Sequence, residues 1–363
     1  MSRSSPTTPA HLEERGNTRR GFLKRSLSLA AAATLSGGVK LFAEGRAIRG
    51  MQKAPSSLKT EKPNDGQPLP YGSSGQTRGT SAEKSRVIRV KSERIMPVRV
   101  VQQPLLKDTL DEGLRLLTGE QDVRDAWHHF LSPDDVILLK FNQSGSLMLG
   151  TSVPFATALV DSLLSAGWSP DKIMLLEAGG SPRELPKTRM PDMRWQGHVV
   201  DFGSSGRDSF LAALDEATAI VNVPFLKTHH LATMTSCLKN LSHGLIRHPA
   251  RFHAQGCDPA IGEIVASPPV REKVRLHIVN ALRVVFDRGP DAGEGTIHTS
   301  GTILLGTDPV ACDSVGFELL NETRSIRGMG PLLPEAKLPK YLGTAATLGL
   351  GNANIERIEV DSP

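Results

Sequence analysis

Cysteine is scarce in this sequence of 363 residues, which contains only Cys237, Cys257 and Cys312. Three cysteines are too few for a fold held together by several disulfide bonds. They form no CxxC pair, so an iron–sulfur cluster that takes four cysteines from one chain is excluded. The sequence identifies no other cofactor.

A long apolar run is missing as well. The apolar stretch from Leu27 to Val39 is rich in alanine and contains Gly37 and Gly38, whereas a membrane span needs about 20 apolar residues. The stretch follows residues 18–24, where two arginines precede Phe-Leu and Lys. This order is typical of a twin-arginine signal peptide. The alternative is a basic tail that precedes an amphipathic helix.

We therefore expect residues 1–43 to be a signal peptide, with cleavage after Ala43 or Ala47. The partner during export is the twin-arginine (Tat) translocase, and the expected location is the periplasm. No stable membrane span is expected after cleavage. The translocase carries proteins that have already folded, often around a cofactor, so a cofactor is more expected here than in an average secreted protein.

The whole sequence has a net charge of +5, but residues 93–363 have no excess of basic residues. Residues 1–92 hold 17 lysines and arginines against 6 aspartates and glutamates, which leaves 26 basic and 32 acidic residues in 93–363. Aromatic residues make up only 4% of the chain. A groove for nucleic acid, which combines basic and aromatic side chains, is therefore not expected.

The composition divides the chain into three parts. Residues 44–92 are rich in Pro, Gly, Ser and Lys and show no apolar periodicity, which predicts a flexible tether. Residues 93–363 are long enough for one large domain.

Short apolar runs alternate with helical patterns in this domain. Predicted strands cover 136–139, 172–177, 219–223, 275–279 and 302–305, and predicted helices cover 155–164 and 209–217 and begin after Asp308. Continuous apolar strands that alternate with helices predict an α/β fold, here a mainly parallel, doubly wound, Rossmann-like sheet with helices on both faces. Ligands bind beyond the carboxyl ends of the strands in such sheets.

Polar residues follow two of the predicted strands at that position. They continue into the next predicted helix, and the set consists of Lys140, Asn142, Lys227, His229, Lys239 and Asn240. We expect the three lysines to converge on one crevice. Because ammonium groups repel one another, an anion should lie between them: a carboxylate, a phosphate or an acidic side chain.

The candidate catalytic residues are Lys227 and His229. His229 is the better candidate for proton transfer, because an unperturbed imidazole titrates near neutral pH. The candidate ligand-binding residues are Lys140, Asn142, Lys239, Asn240, Asp308 and Asp313. Each lysine has an alternative interpretation as a solvated rim residue. Asp308 also suits the N-cap of the helix that starts at Pro309, and Asp313 points either into the crevice or at solvent.

Histidines are concentrated in residues 229–253, with Cys237 and Cys257 close by. Their spacing matches neither HExxH nor a zinc-finger set. A metal site is therefore one hypothesis and an ordinary polar segment is the other, and the metal is not identified. The acidic residues Asp287, Asp291 and Glu294 likewise form either a cation site or a polar loop.

Several motifs resemble those of the DUF362 family, in the same order over about residues 130–325. The family's VKPN, PKxKTH, LKNLxG, GP and DPVAxD correspond here to 139–142, 224–229, 238–244, 289–290 and 308–313. Phe141 replaces the proline of the first motif, Ser242-His243 precede the glycine of the third, and Asn280 stands where an aspartate is frequent. The family is named for its unknown function, so the resemblance implies the crevice and the α/β fold but no reaction.

Three functions fit these observations. The leading hypothesis is an exported enzyme that binds a small anionic substrate or cofactor in the Lys/Asn/His crevice. The second is a non-catalytic periplasmic accessory protein that binds a metal or another ligand. The third is a polar core that only organises the fold.

The paired arginines provide a direct test of export. We expect replacement of Arg19 and Arg20 together by lysine to leave the protein in the cytoplasm, because the translocase recognises the arginine pair. Cell fractionation followed by immunoblotting measures the distribution. Normal export of the double variant would contradict the twin-arginine prediction.

Overall fold

The structure, a computed structural model, describes residues 84–291, 293, 296–334 and 337–363. The predicted signal peptide and most of the predicted tether lie outside these residues. The strands are β1 Ser85–Lys91, β2 Ile137–Lys140, β3 Ile173–Leu176, β4 Val200–Asp201, β5 Arg207–Asp208, β6 Ala219–Asn222, β7 Phe225–His229, β8 Thr233–Thr235, β9 Val274–Val285, β10 Ile297–Gly306 and β11 Ile358–Asp361.

Ten α-helices lie in the same described residues, and short 3-10 turns occur between them. The helices are α1 Gln103–Thr118, α2 Val123–Phe130, α3 Ser146–Leu149, α4 Ser152–Ser165, α5 Ala213–Glu216, α6 Cys237–His243, α7 Ala260–Ala266, α8 Pro268–Arg271, α9 Pro309–Ile326 and α10 Lys340–Thr347. None of them is both long enough and apolar enough to cross a membrane.

Nine strands form one sheet in the order β11-β1-β10-β9-β6-β2-β3, and β7 and β8 continue from the second half of β9. The pairs β3–β2, β2–β6, β6–β9, β7–β9 and β1–β11 are parallel. Strand β10 is antiparallel to both of its neighbours. The fold is therefore α/β with a large, mostly parallel sheet.

Two apolar cores lie on the two faces of this sheet. Successive side chains of a strand point to opposite faces, and Leu138 accordingly belongs to one core while Ile137 and Leu139 belong to the other. Helices α1, α2 and α4 contribute to the core around Ile137, and α6, α7, α9 and α10 contribute to the core around Leu138. Helices thus cover both faces.

Strand β1 corrects the predicted boundary between tether and domain. The sequence assigned residues 44–92 to the tether, but β1 pairs with β10 and β11 inside the sheet. Val87 and Ile88 are fully buried, one in each core. The strand was missed because its alternation is interrupted by Arg86 and Arg89, whose side chains form ion pairs with acids at the surface.

The predicted helix over 209–217 is reduced to the four residues of α5. The residues before it are extended, since Phe210 bridges to Ile246 and Leu211 bridges to Trp195. Tertiary pairing therefore prevails there over the helical spacing of the apolar residues.

Pro224 separates β6 from β7 and shifts the chain along β9. Strand β6 pairs with the first part of β9, and after Pro224 the chain continues beside the second part, with Phe225 opposite Asn280 and Lys227 opposite Val285. The carbonyl of Pro224 accepts a hydrogen bond from Asn280 N (2.8 Å). The shift places Lys227 beyond the end of β6.

Gly289 of the Gly-Pro motif packs directly against β7. Its N–H donates to Thr228 Oγ1 (2.9 Å), and its carbonyl accepts from His230 N (3.2 Å). A Cβ atom at position 289 would lie 2.0 Å from the carbonyl oxygen of Thr228. The motif therefore needs glycine because two backbones approach closely there.

We expect Gly289→Ala to lower the melting temperature by an amount that corresponds to about 1–3 kcal/mol or more, since the added methyl group forces backbone movement. Circular dichroism melting measures the change. Gly343→Ala in α10 is the matched control, because its Cβ would meet nothing within 4 Å and alanine favours a helix by up to about 1 kcal/mol. Equal melting temperatures for the two variants would contradict the packing argument.

Candidate functional site

A row of polar side chains crosses the middle of the sheet. Lys140 of β2 lies beside Asn222 of β6, and Asn222 lies beside His277 of β9. Residues that are in register on neighbouring strands point to the same face, which here is the face covered by α6. All three side chains are buried, so each of them needs a hydrogen-bond partner inside the protein.

Asn240 of α6 supplies partners to two of them, Lys140 and Asn222. Its Nδ2 donates to the carbonyl of Lys140 (3.0 Å) and to Asn222 Oδ1 (2.8 Å), and its Oδ1 accepts from Lys140 Nζ (2.9 Å). Asn222 Nδ2 in turn donates to the carbonyl of Cys237 (3.0 Å) and lies 3.1 Å from His277 Nδ1. The amide of Asn240 thus docks α6 on the sheet, and its hydrogen bonds are used within the protein.

Lys140 has an acidic partner in the same network. Its Nζ donates to Glu177 Oε2 (2.9 Å) and to the carbonyl of Phe141 (2.6 Å), in addition to Asn240. Burial lowers the pKa of the Lys140 ammonium, and the Glu177 carboxylate opposes this effect. With three acceptors for its three N–H groups, Lys140 is fully satisfied by the protein itself.

Glu177 is the main residue that sequence reasoning missed. It directly follows β3, with φ at 57°, in the left-handed region that non-glycine residues seldom adopt. Such strain persists only where the surroundings hold it, and here the bond to Lys140 does so. An acid at the carboxyl end of a buried strand was the signal that could have identified it.

Gly244 gives a physical reason for the glycine of the LKNLxG motif. A Cβ atom at this position would lie 2.4 Å from Lys140 Nζ and 2.7 Å from the carbonyl of Asn240. Any side chain there would displace the lysine from its three acceptors. The motif therefore encodes the space that the buried ammonium group occupies.

Lys227 of β7 and Lys239 of α6 form a second group of cations with different surroundings. Both side chains are buried. Among the partners that the structure describes, Lys227 Nζ donates to the carbonyl (2.6 Å) and the Oγ (3.1 Å) of Ser144, and Lys239 Nζ donates to His253 Nε2 (3.2 Å). Among the described residues, no carboxylate lies within 4.0 Å of either ammonium.

The electrostatics of these two lysines follow from that arrangement. The pKa of Lys227 is lowered to about 8, mainly by burial; the charge of Asp291 opposes this effect and the charge of Lys239 adds to it. Burial also lowers the pKa of Lys239 to about 8. The three predicted lysines therefore divide into Lys140, which is paired with Glu177, and two that contact no carboxylate in the described part of the chain.

His229 lies beside these lysines at the end of β7. Its Nδ1 accepts from the backbone N–H groups of Leu231 and Ala232, both at 3.1 Å. Burial and the charge of Lys239 lower the pKa of His229 to about 3. The imidazole is therefore neutral at pH 7 and carries its proton on Nε2, the nitrogen that remains available to a ligand.

Asn142 lies next to the network, after the end of β2. The residue is half-buried, and its Oδ1 is a buried atom with no hydrogen-bond partner among the described residues. An unpaired buried amide oxygen is costly, and the role of Asn142 in orienting a ligand stays a prediction.

Asp308 does not join Lys140 and Lys227, and this part of the predicted site is corrected. Its Oδ1 caps α9 by accepting from Val310 N (2.8 Å) and Ala311 N (2.9 Å), and its Oδ2 accepts from Ser85 Oγ (2.6 Å) and Asn352 N (2.8 Å). Because β10 runs antiparallel to β9, its carboxyl end points away from the edge where Lys227 lies.

The carboxylate of Asp313 is likewise bonded within the protein and does not point at solvent. The carboxylate is buried and accepts from Cys237 N (2.6 Å) and Leu238 N (3.1 Å), the first backbone N–H groups of α6. Burial raises its pKa to about 6, against the effect of these bonds. Asp313 therefore fixes the helix that carries Lys239, Asn240 and His243, and it acts on the site indirectly.

Part of the histidine-rich segment does come together. One nitrogen each from His243 and His253 and the sulfur of Cys257 lie within 4.8 Å of one another. Among the described residues, these three form a group of histidine and cysteine side chains whose ligand atoms lie close enough together to hold one metal ion. All three cysteines of the chain are buried free thiols.

Comparison with known families agrees with the motif order. A family model described as "Domain of unknown function (DUF362)" matches residues 192–318. The match supports the DUF362 family, and it includes Lys227, Lys239 and the Gly-Pro motif, whereas Lys140 and Asn142 lie before it. No curated protein matches the chain significantly. The family description gives no reaction, so the chemistry must be argued from the site.

The contrast between the two kinds of buried lysine can be measured. We expect Lys227→Met to raise the melting temperature at pH 7 in a buffer poor in anions. The folded pKa of about 8, against 10.5 for a free lysine, means that burial of the charge costs about 3 kcal/mol. The acceptors on Ser144 belong to an exposed residue, so water can replace the lysine there.

The pH dependence of this gain has a defined sign. Between about pH 8 and 10.5 the unfolded chain holds the Lys227 proton more tightly than the folded protein does, so wild-type stability rises with pH and the advantage of Lys227→Met shrinks. Lys140→Met is the control. It removes the ammonium group from the Glu177 carboxylate and from Asn240 Oδ1 and should lower stability by about 3–5 kcal/mol. A similar loss for Lys227→Met would show that both lysines are structural.

Proposed function

We propose that this is an exported protein in which Lys227, Lys239 and His229 bind a small anionic ligand. The observation that carries the proposal is the pair of buried ammonium groups with no carboxylate in contact among the described residues. A buried charge without a partner is unfavourable. An anion that contacts both lysines would supply the missing partner.

The position in the fold supports the same proposal. Lys227 follows β6 through Pro224, and Asn142 follows β2, so both lie beyond the carboxyl ends of parallel strands. Ligands of doubly wound sheets bind at this edge. We infer that the domain belongs to that class, with β10 as an antiparallel insertion in its sheet.

Each residue has a distinct role in the proposed site. The Lys227 and Lys239 ammonium groups supply charge and hydrogen bonds to the ligand. The Nε2–H of His229 donates a further hydrogen bond, since its Nδ1 is occupied by two backbone N–H groups. Asn142 orients the ligand through its unpaired Oδ1, which can accept from a hydroxyl or amine of the ligand.

Lys227 is the residue best suited to chemistry. A pKa of about 8 leaves a measurable fraction of neutral amine at neutral pH, and such an amine can accept a proton or attack a carbonyl group. His229 is held as a donor and lacks a free basic nitrogen, so the proton-transfer role passes from the histidine to Lys227. We infer an enzyme in which Lys227 performs this step.

Export through the twin-arginine pathway is part of the proposal. It depends on the order of residues 18–24 and on the apolar stretch that follows them. A protein that folds before export can carry its ligand out of the cytoplasm, which fits a ligand held by buried lysines.

The proposal is tested by titration of the purified protein with inorganic phosphate and with malonate, followed by calorimetry. We expect Lys227→Gln and Lys239→Gln each to weaken binding of the better anion about tenfold to a hundredfold, because a charge-assisted hydrogen bond contributes about 1.5–3 kcal/mol. Native mass spectrometry of the protein as purified identifies any anion that copurifies.

Lys172→Gln provides the matched control for charge. Lys172 lies directly before β3, at the amino edge of the parallel strands, and its Nζ donates to the carbonyl of Asp134 (3.1 Å). We expect this variant to bind the anion as the wild type does. The proposal is wrong if neither anion binds and none copurifies, or if Lys172→Gln weakens binding as much as Lys227→Gln.

A further inference from the structure

The side chains of His243, His253 and Cys257 form a cluster that the anion site does not use. His243 is the last residue of α6, and the other two follow within the irregular segment 248–258. One ring nitrogen from each histidine and the Cys257 sulfur lie within 4.8 Å of one another. Two imidazoles and one thiol are the ligand types that zinc prefers.

The hydrogen bonds of the two histidines orient them in a specific way. His253 Nδ1 donates to the carbonyl of Pro249 (3.0 Å), and His243 Nε2 donates to the carbonyl of Phe252 (3.2 Å). Each neutral ring therefore keeps its lone pair on the other nitrogen. Metal-binding histidines in proteins show this arrangement, in which a backbone carbonyl holds one N–H and fixes the tautomer.

Each of the two lone pairs has one competitor in the protein. His243 Nδ1 lies 3.0 Å from Ser242 Oγ, but the single proton of that hydroxyl can go to the carbonyl of Lys239 (3.2 Å). His253 Nε2 accepts from Lys239 Nζ (3.2 Å). A metal at the cluster would take this lone pair from Lys239, so the ammonium and the metal compete for the same nitrogen.

Cys257 provides the third ligand. Its side chain is fully buried and forms no disulfide. The φ angle of Cys257 is 64°, and that of Gln255, two residues earlier, is 52°. Two non-glycine residues therefore adopt the left-handed conformation in this short segment. Backbone strain of this kind is concentrated at functional sites, and here it accompanies a sulfur placed beside two imidazoles.

We propose that His243, His253 and Cys257 bind a divalent ion of the Zn²⁺ class, with the fourth coordination position open to water or an anion. Typical distances of about 2.0–2.1 Å for Zn–N and about 2.3 Å for Zn–S place two nitrogens and one sulfur around a tetrahedral ion about 3.3–3.6 Å apart. The cluster would need to contract by about 1.5 Å at most. On binding, the Cys257 thiol loses its proton to water and coordinates as the thiolate.

The proposal is tested with Co²⁺ as a spectroscopic substitute for Zn²⁺. The purified protein is treated with a chelator, titrated with Co²⁺, and then challenged with Zn²⁺. We expect one equivalent of Co²⁺ to produce a thiolate-to-cobalt charge-transfer band in the near ultraviolet together with visible bands of a four-coordinate ion. Zn²⁺ should abolish both. A spectrum without the thiolate band would overturn the proposal.

Variants identify the ligands. We expect Cys257→Ser to remove the thiolate band, and His253→Gln, at a half-buried position, to weaken Zn²⁺ binding by at least about a hundredfold. Loss of an outer hydrogen bond alone costs about tenfold to a hundredfold, and a lost ligand costs more. Cys312→Ser is the matched control, because Cys312 is another buried free thiol, on α9, and it should keep the band.

Lys239→Met tests whether His253 binds the metal together with Cys257, or whether the metal binds the thiol alone. The change removes both the competitor for His253 Nε2 and a repelling charge, so Zn²⁺ affinity should rise by about tenfold, as for the loss of one charged interaction. An unchanged or weaker affinity would contradict the assignment of His253 Nε2. Lys172→Gln, at the opposite edge of the sheet, should leave Zn²⁺ affinity within a few-fold of the wild type. Phosphate binding that depends on Lys227 in a protein without Co²⁺ binding would sink the metal proposal alone.

Discussion

The docking of helix α6 on the sheet is the interaction on which the rest of the site depends. Asn240 connects Lys140 and Asn222 across two strands, and Asp313 binds the first N–H groups of the same helix. Buried polar groups stabilise a fold when they have partners. Lys140, Asn222 and Asn240 all have them, whereas His277 Nε2 has none among the described residues. The bonds of Asn240 and Asp313 fix where α6 lies on the sheet, and they thereby position Lys239 and His243.

This positioning allows the neighbouring cations to remain unpaired. Lys227 and Lys239 keep their buried positions although no described carboxylate contacts them, and their charges cost stability that the surrounding cores must offset. Proteins accept such costs at sites of binding and catalysis, where side chains are arranged for a ligand rather than for the fold. Lys140 differs from these two lysines, because its charge is paired with the Glu177 carboxylate.

The family motifs acquire physical meanings from this division. The glycine of LKNLxG leaves space for the Lys140 ammonium, and the glycine of Gly-Pro allows the backbone of β7 to approach. Asp308 of the last motif caps α9, and Asp313 holds α6. Motifs that look like one set of ligand contacts thus contain both buried lysines that contact no described carboxylate and the residues that position them, which sequence spacing alone does not distinguish.

The sequence by itself determined the α/β class, the buried parallel strands and the strand-end positions of Lys140 and Lys227, because apolar periodicity and the edge rule of parallel sheets are local properties. It did not determine that β10 runs antiparallel, which removed Asp308 from the site, nor that Glu177 would neutralise Lys140. Those outcomes depend on which strands become neighbours. Only the tertiary structure decided which lysines found partners, since desolvation and pairing arise from residues far apart in the chain.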